Sequence, residues 1–226
     1  MKYVGVIPSR FNSTRLPGKP LADIAGKPMI WYVYTRARTV LKEVYVATDD
    51  TRIVDMCNKF EIPVLMTSKH NLTGTDRSAE LAQHIDSDVY IIIQGDEPLI
   101  HKASIKRVYE ECKYHNIVNC YSRLTAEEIS DINIVKMSCT SDNKIKGFSR
   151  GILPTYNYKQ IGLYGIHKKE LFMFNTLPVS KNEDNVKAEM YRFIDNNFSI
   201  KAVLGEPSIS VDTVQDLALV RNIIIK

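Results

Sequence analysis

Residues 89–94 read VYIIIQ, and this stretch limits the fold more than any other. A strand that is apolar at nearly every position must be covered on both faces, the situation of an inner strand in an α/β sheet. The sequence around it alternates in the matching way. Strand-like runs fall at 3–7, 44–48 and 63–66. Between and after them lie amphipathic stretches at 29–40, 51–60, 77–85 and 102–114. In the first, Met29, Ile30, Val33, Ala37 and Val40 share one face. Asp50 stands where an N-cap would start the second. This rhythm predicts a mostly parallel central sheet flanked by helices.

Past residue 117 the pattern changes. Strand-like runs at 118–124, 134–140, 144–149 and 161–167 are closely spaced, with Asp142-Asn143 as a turn. This segment, about 118–167, reads as a smaller antiparallel hairpin lobe or a sheet edge. Helices are expected at 168–175, 185–196 (capped by Glu183 or Asp184) and 214–225, with a strand at 200–204. At 226 residues, with no linker or repeat, the chain reads as one domain, 1–226.

Composition removes several function classes. Lys+Arg 30 against Asp+Glu 26 gives a net charge of +4, spread without a basic run, so no nucleic acid is expected as partner. No apolar run approaches the roughly 20 residues of a membrane span. Residues 1–7 lack the charged leader and apolar core of a signal peptide. Cys57, Cys112, Cys120 and Cys139 form no CxxC pair, which points to buried thiols, a reducing cytoplasmic setting and no zinc site.

Ligands of parallel α/β sheets sit at the carboxyl ends of the strands. Four polar loops follow strands here. The first, IPSRFNSTRLPGKPL at 7–21, sets Arg10, Arg15 and Lys19 among Ser9, Ser13, Thr14 and Gly18. Cations and backbone amides in a loop stiffened by Pro and Gly suit an oxyanion-rich ligand. The loop is neither GxxxxGK[ST] nor GxGxxG, so the P-loop and dinucleotide readings lose their support. The second, Thr73-Gly74-Thr75-Asp76-Arg77, permits close approach of a base or ribose, though by itself it reads as a cap at Thr75 or Asp76. The third, Gln94-Gly95-Asp96-Glu97-Pro98, offers Asp96 to Mg²⁺, while Glu97 before proline shapes the turn. The fourth, Ser210-Val211-Asp212-Thr213, alone reads as a helix cap; with Asp96 it supplies a second carboxylate for Mg²⁺ on a phosphate.

Together IPSRFNSTRLPGKPL, the 73–77 segment, QGDEP and VDT…DL resemble the 3-deoxy-manno-octulosonate (Kdo) cytidylyltransferases, from residue 3 to about 221 and most strongly in the first 100 residues. The resemblance implies a Rossmann-like nucleotidyltransferase fold, a homodimer with the 118–167 lobe at the dimer contact and acceptor pocket, and Mg²⁺. The reaction it implies is CTP plus Kdo giving CMP-Kdo and pyrophosphate, a step of lipopolysaccharide biosynthesis. Carried over by residue, Ser9, Arg10, Ser13, Arg15 and Lys19 would hold the CTP phosphates, and Thr73, Gly74, Thr75 and Arg77 would lie near cytosine and ribose. Asp96 and Asp212 would bind Mg²⁺. Gln94, Arg150, Gln160, Tyr164 and Glu189 would face the sugar acid, Arg150 at its carboxylate. Arg10, Arg15, Lys19 and Asp96 would act in catalysis.

The acceptor half departs from the family. Gln160 stands for a histidine, Met190 for a glutamine and Asn71 for a frequent histidine, and the 154–160 segment is short. A sugar hydroxyl left unpaired costs about 1–3 kcal/mol, enough to alter acceptor preference roughly 10- to 100-fold. Two alternatives therefore accompany Kdo: the same transfer to an amino-sugar acid or a phosphonate, and a nucleotide-binding regulator without turnover. None of the five histidines is needed for the chemistry.

Overall fold

The computed structural model describes residues 1–225. In chain order the elements are β1 (Tyr3–Ser9), a 3-10 turn (Lys19–Leu21), β2 (Asp23–Ile24), β3 (Lys27–Pro28), α1 (Met29–Arg38), β4 (Val44–Thr48), α2 (Thr51–Lys59), β5 (Val64–Met66), α3 (Gly74–Leu81), β6 (Val89–Ile93) and α4 (Lys102–Glu111). There follow β7 (Ile117–Arg123), α5 (Ala126–Ser130), β8 (Lys136–Cys139), β9 (Ile145–Ser149), β10 (Tyr158–His167), α6 (Lys168–Thr176), α7 (Lys181–Val186), α8 (Tyr191–Ile194), β11 (Lys201–Leu204) and α9 (Val214–Ile225).

The central sheet runs β11-β7-β10-β6-β1-β4-β5. β6, β1, β4 and β5 are mutually parallel, β11 is parallel to β7, and β10 opposes both β6 and β7. Only β10 therefore runs against the rest of this path, as the mostly parallel reading expects. β8 branches from β10, and β9 pairs with β8. The expected hairpin segment divides accordingly: β7 and β10 lie inside the main sheet, and only the β8–β9 hairpin projects from it. Asn143, at φ 59°, makes its turn.

All five residues of β6 are buried. Val89, Ile91 and Ile93 pack with Ile30 and Val33 of α1, Ile53 of α2 and Ile105 and Val108 of α4. Tyr90 and Ile92 face the other layer, with Ala79 and Leu81 of α3, Leu171 and Phe174 of α6 and Phe193 of α8. Cys57, Cys112 and Cys120 are buried and unpaired, and burial pushes each thiol up to about 12.

Three local expectations need correction. α3 begins at Gly74, not 77, because Thr73 and Asp76 close a reciprocal capping box (3.1 Å and 2.9 Å), so Thr73 is the N-cap in place of Thr75 or Asp76. The helix expected over 185–196 is two short ones: α7 starts from Ser180 and stops at Lys187, which is left-handed at φ 57°. Met190 is fully buried in the core beside Phe193 and leaves the pocket wall to its neighbour Glu189.

Candidate active site

Because β10 runs against β6 and β7, its first half lies at the same sheet edge as their carboxyl ends. Gln94 N donates to Gly162 O there at 2.8 Å. The loops after β1, β5, β6 and β11 meet at this edge around a cavity of about 640 Å³. All the residues expected at the site line it, with the exception of Thr75.

The basic loop is held as the sequence implied. Gly18 N donates to Phe11 O at 2.8 Å, and Gly18 takes φ 70°, where a Cβ would meet the Phe11 ring at 3.0 Å. Glycine is required by both the backbone angle and the space. The Arg52 guanidinium lies 3.3 Å from the Phe11 ring centroid, which docks the loop on α2. This turn launches Lys19 into the cavity, while Arg10 stays exposed and Ser13 lies on the wall.

Lys19 joins the two carboxylates. Its Nζ donates to Asp96 Oδ2 at 2.6 Å, Asp212 Oδ1 at 3.0 Å and Val211 O at 3.1 Å. Arg15 Nη2 pairs with Asp212 Oδ2 at 2.9 Å. Burial opposes the charge on both partners, but attraction wins: the Lys19 ammonium is raised and the Asp212 carboxyl held below the usual carboxylate range. Thr213, not Asp212, caps α9 by exchanging bonds with Asp216, which leaves Asp212 for the cavity. Gly95 makes the Asp96 turn possible, since a Cβ there would fall 2.4 Å from Ser9 Oγ and 3.0 Å from Pro8 O.

Glu97 ties this turn to its surroundings. It accepts from Gly162 N at 3.1 Å and Ser208 Oγ at 2.5 Å, bridging β10 and the loop that leads to Asp212. Burial, then the Asp96 charge, pushes its carboxyl up to about 7. The turn-shaping role read from Glu97-Pro98 is thus a three-way clasp.

On the opposite wall Glu189 accepts from Gln94 Nε2 at 2.8 Å and Thr75 N at 3.0 Å, and burial raises its pKa. Thr75 therefore acts through its backbone. Arg77 is 3% exposed, pairs with Asp49 at 3.0 Å and donates to Thr67 Oγ1 at 2.6 Å. These bonds tie α3 to the ends of β4 and β5, with Arg77 still part of the cavity lining. Gln160 Nε2 donates to Asn119 Oδ1 at 2.9 Å and Tyr164 OH at 3.5 Å. Asn119 Nδ2 in turn bonds Ile161 O and Leu163 O, stitching the bulge between Gln160 and Tyr164.

Arg150 is anchored by Nε to Val186 O (2.8 Å) and by Nη1 to Asn133 O (2.7 Å). Among the described residues its Nη2 has no hydrogen bond, and Arg150 lines the cavity. Asn133 was not anticipated: its Oδ1 also takes Arg15 Nη1 at 2.6 Å, joining the β8 side to the basic loop. Neither Asn133 nor the partly buried Lys159–Glu128 pair (2.7 Å) carries a sequence signal beyond the Thr125-x-x-Glu128 capping box. No histidine lines the cavity.

Among the described residues no cluster of three or more His, Cys, Asp or Glu could hold a metal. Asp96 and Asp212 do fit Mg²⁺ by another measure. Their hard oxygens already share one cation, the Lys19 ammonium, and Mg²⁺ takes one or two carboxylates plus water and phosphate.

A family model described as cytidylyltransferase matches residues 4–205. A 3-deoxy-manno-octulosonate cytidylyltransferase of Lawsonia intracellularis is 37% identical over 98% of this chain and 94% of its own. An 8-amino-3,8-dideoxy-manno-octulosonate cytidylyltransferase of Shewanella halifaxensis is also 37% identical, covering 97% of both. The solved structure of CMP:2-keto-3-deoxy-manno-octonic acid synthetase complexed with CTP superposes with a TM-score of 0.93 at 32% identity, covering 100% of this chain and 99% of that one. The inositol-1-phosphate CTP transferase of T. maritima shares the fold at 14% identity, 99% and 95% coverage and a TM-score of 0.77. With the family model spanning most of its length and full-length relatives above 30% identity, this chain belongs to the 3-deoxy-manno-octulosonate cytidylyltransferase family.

Proposed function

We propose that this enzyme transfers the cytidylyl group of CTP to Kdo, releasing pyrophosphate and forming CMP-Kdo. The carrying observation is the meeting of Lys19, Arg15, Asp96 and Asp212 at one cavity edge, in a chain that is 32% identical to a synthetase solved with CTP.

The acceptor's anomeric hydroxyl attacks the α-phosphorus in line with the departing pyrophosphate, a reaction governed by alignment and charge neutralisation. Arg10, Ser13, Arg15 and Lys19 lie where the triphosphate would enter, and their cations offset the charge that builds on the leaving group. The Gly74 backbone and Thr73 border the nucleoside side, and Ser9 lies behind the turn at Gly95. Arg150 presents Nη2 to the acceptor carboxylate. Gln94, Tyr164 and Glu189 form the wall for the sugar hydroxyls, with Gln160 bracing Tyr164. Asp96 and Asp212 would hold Mg²⁺, which when bound lowers the pKa of the attacking hydroxyl and offsets phosphate charge. The enzyme works as a cytoplasmic homodimer, with the β8–β9 side at the contact; sedimentation equilibrium at the monomer mass would exclude this.

The Shewanella relative favours a second acceptor, the 8-amino sugar acid, whose ammonium the carboxylates of this cavity would accommodate. Pyrophosphate release with CTP, Mg²⁺ and each acid decides. Release with Kdo supports the first reading, release with the amino acid alone supports the second, and CTP binding without release from any acid refutes both.

A further inference from the structure

We propose that Lys19 and Arg15 form a cationic latch on Asp96 and Asp212 that makes divalent-metal binding conditional on the nucleotide. The proposal rests on the reading of these aspartates as metal ligands.

Three of the four carboxylate oxygens already carry a cation. Lys19 Nζ takes Asp96 Oδ2 at 2.6 Å and Asp212 Oδ1 at 3.0 Å, and Arg15 Nη2 takes Asp212 Oδ2 at 2.9 Å. Formal charge in the cluster sums to zero, two carboxylates against one ammonium and one guanidinium. A divalent ion that reached both aspartates would meet Nζ at hydrogen-bond range, where repulsion between like charges is severe in a partly buried site.

Lys19 cannot simply step into water. Its side chain is 14% exposed, and Nζ has a third bond to Val211 O at 3.1 Å. It needs another anion within reach. A triphosphate provides several, and the flexible four-carbon stem lets Nζ swing while the Gly18–Leu21 turn stays fixed by its bonds to Phe11 and Leu16. Arg15, 42% exposed and also tied to Asn133, can leave Asp212 at less cost. The nucleotide thus draws off the resident cations and frees the carboxylates in the same event. By linkage the metal must tighten the nucleotide by the factor with which the nucleotide tightens the metal. The latch also holds the two aspartates close together before substrate arrives.

The test is Mn²⁺ titration, read by electron paramagnetic resonance of the free ion, on wild type, K19M, K19R, D96N and K19M/D96N. Without nucleotide, K19M should bind Mn²⁺ at least about tenfold more tightly than wild type, since it loses the competing charge. K19R should stay at the wild-type level and K19M/D96N should lose the gain. Mn²⁺ should raise the melting temperature of K19M, and leave that of wild type unchanged, so a K19M chain unstable without metal and rescued by it supports the latch. K19M that binds Mn²⁺ no better than wild type, or is unstable and not rescued, overturns it. With CTP present, D96N should weaken protein-bound Mn²⁺. If D96N is without effect there, the metal assignment itself has failed and the latch falls with it.

Discussion

Arg192→Met should be among the most damaging single changes outside the cavity. Arg192 is 3% exposed and lies between two buried carboxylates, Glu183 at 4% and Asp76 at 8%. Its Nη1 donates to Asp76 Oδ1 at 2.7 Å, and Nη2 and Nε take Glu183 Oε1 and Oε2 at 2.6 and 2.9 Å. Methionine keeps the packing over Phe174, whose ring lies 4.0 Å from the guanidinium. What it removes is the charge, leaving two carboxylates facing each other in low dielectric. Breaking a buried pair by deleting one partner costs about 3–5 kcal/mol. For a domain of this size that lowers the melting temperature by about 6–20 °C. Asp76 also closes the capping box of α3 and Glu183 that of α7, so the loss should loosen both helices bordering the cavity. Urea unfolding followed by circular dichroism gives the stability directly. Adding Glu183→Gln removes one of the stranded charges and should recover part of the loss. A destabilisation below about 1 kcal/mol, or a double variant worse than R192M, would refute the electrostatic account.

Gly95→Ala places a methyl 2.4 Å from Ser9 Oγ and should cut kcat about 100-fold by moving Asp96, with folding retained; an unchanged kcat would contradict the close packing. Asp96→Ala should abolish Mg²⁺-dependent turnover, and retention of more than about a tenth of the rate would remove it from the metal site. Lys19→Ala should lose at least about 100-fold in kcat; a shift in acceptor KM alone would place it elsewhere. Glu97 rises from 4.5 to about 7, so its ionisation opposes folding. Wild-type stability should therefore decline as pH rises from about 4.5 to about 7, and Glu97→Gln should remove that component; urea midpoints with the same slope in both proteins would count against it.

Local order was legible because it depends on neighbours in the chain. The apolar VYIII run demanded cover on both faces and has it, Asp50 caps α2 as its position implied, and the Pro- and Gly-stiffened basic loop is a fixed turn. The polar loops at strand ends could be expected to converge once the sheet was taken as parallel. Other features depend on what lies opposite. No periodicity shows that β10 inserts between β6 and β7, that Lys187 breaks a helix, or that Met190 faces the core while Glu189 faces the cavity. Nor does any pattern show that Arg77 pairs with Asp49. Lys19 meets carboxylates 77 and 193 residues away. Backbone conformation is set within a turn or two of the chain, so residue type was enough for the Asp50 cap and the basic turn, though not for the caps of α3 and α7. The partner of a buried charge is chosen by the whole fold, through the desolvation that leaves an unpaired charge no stable place.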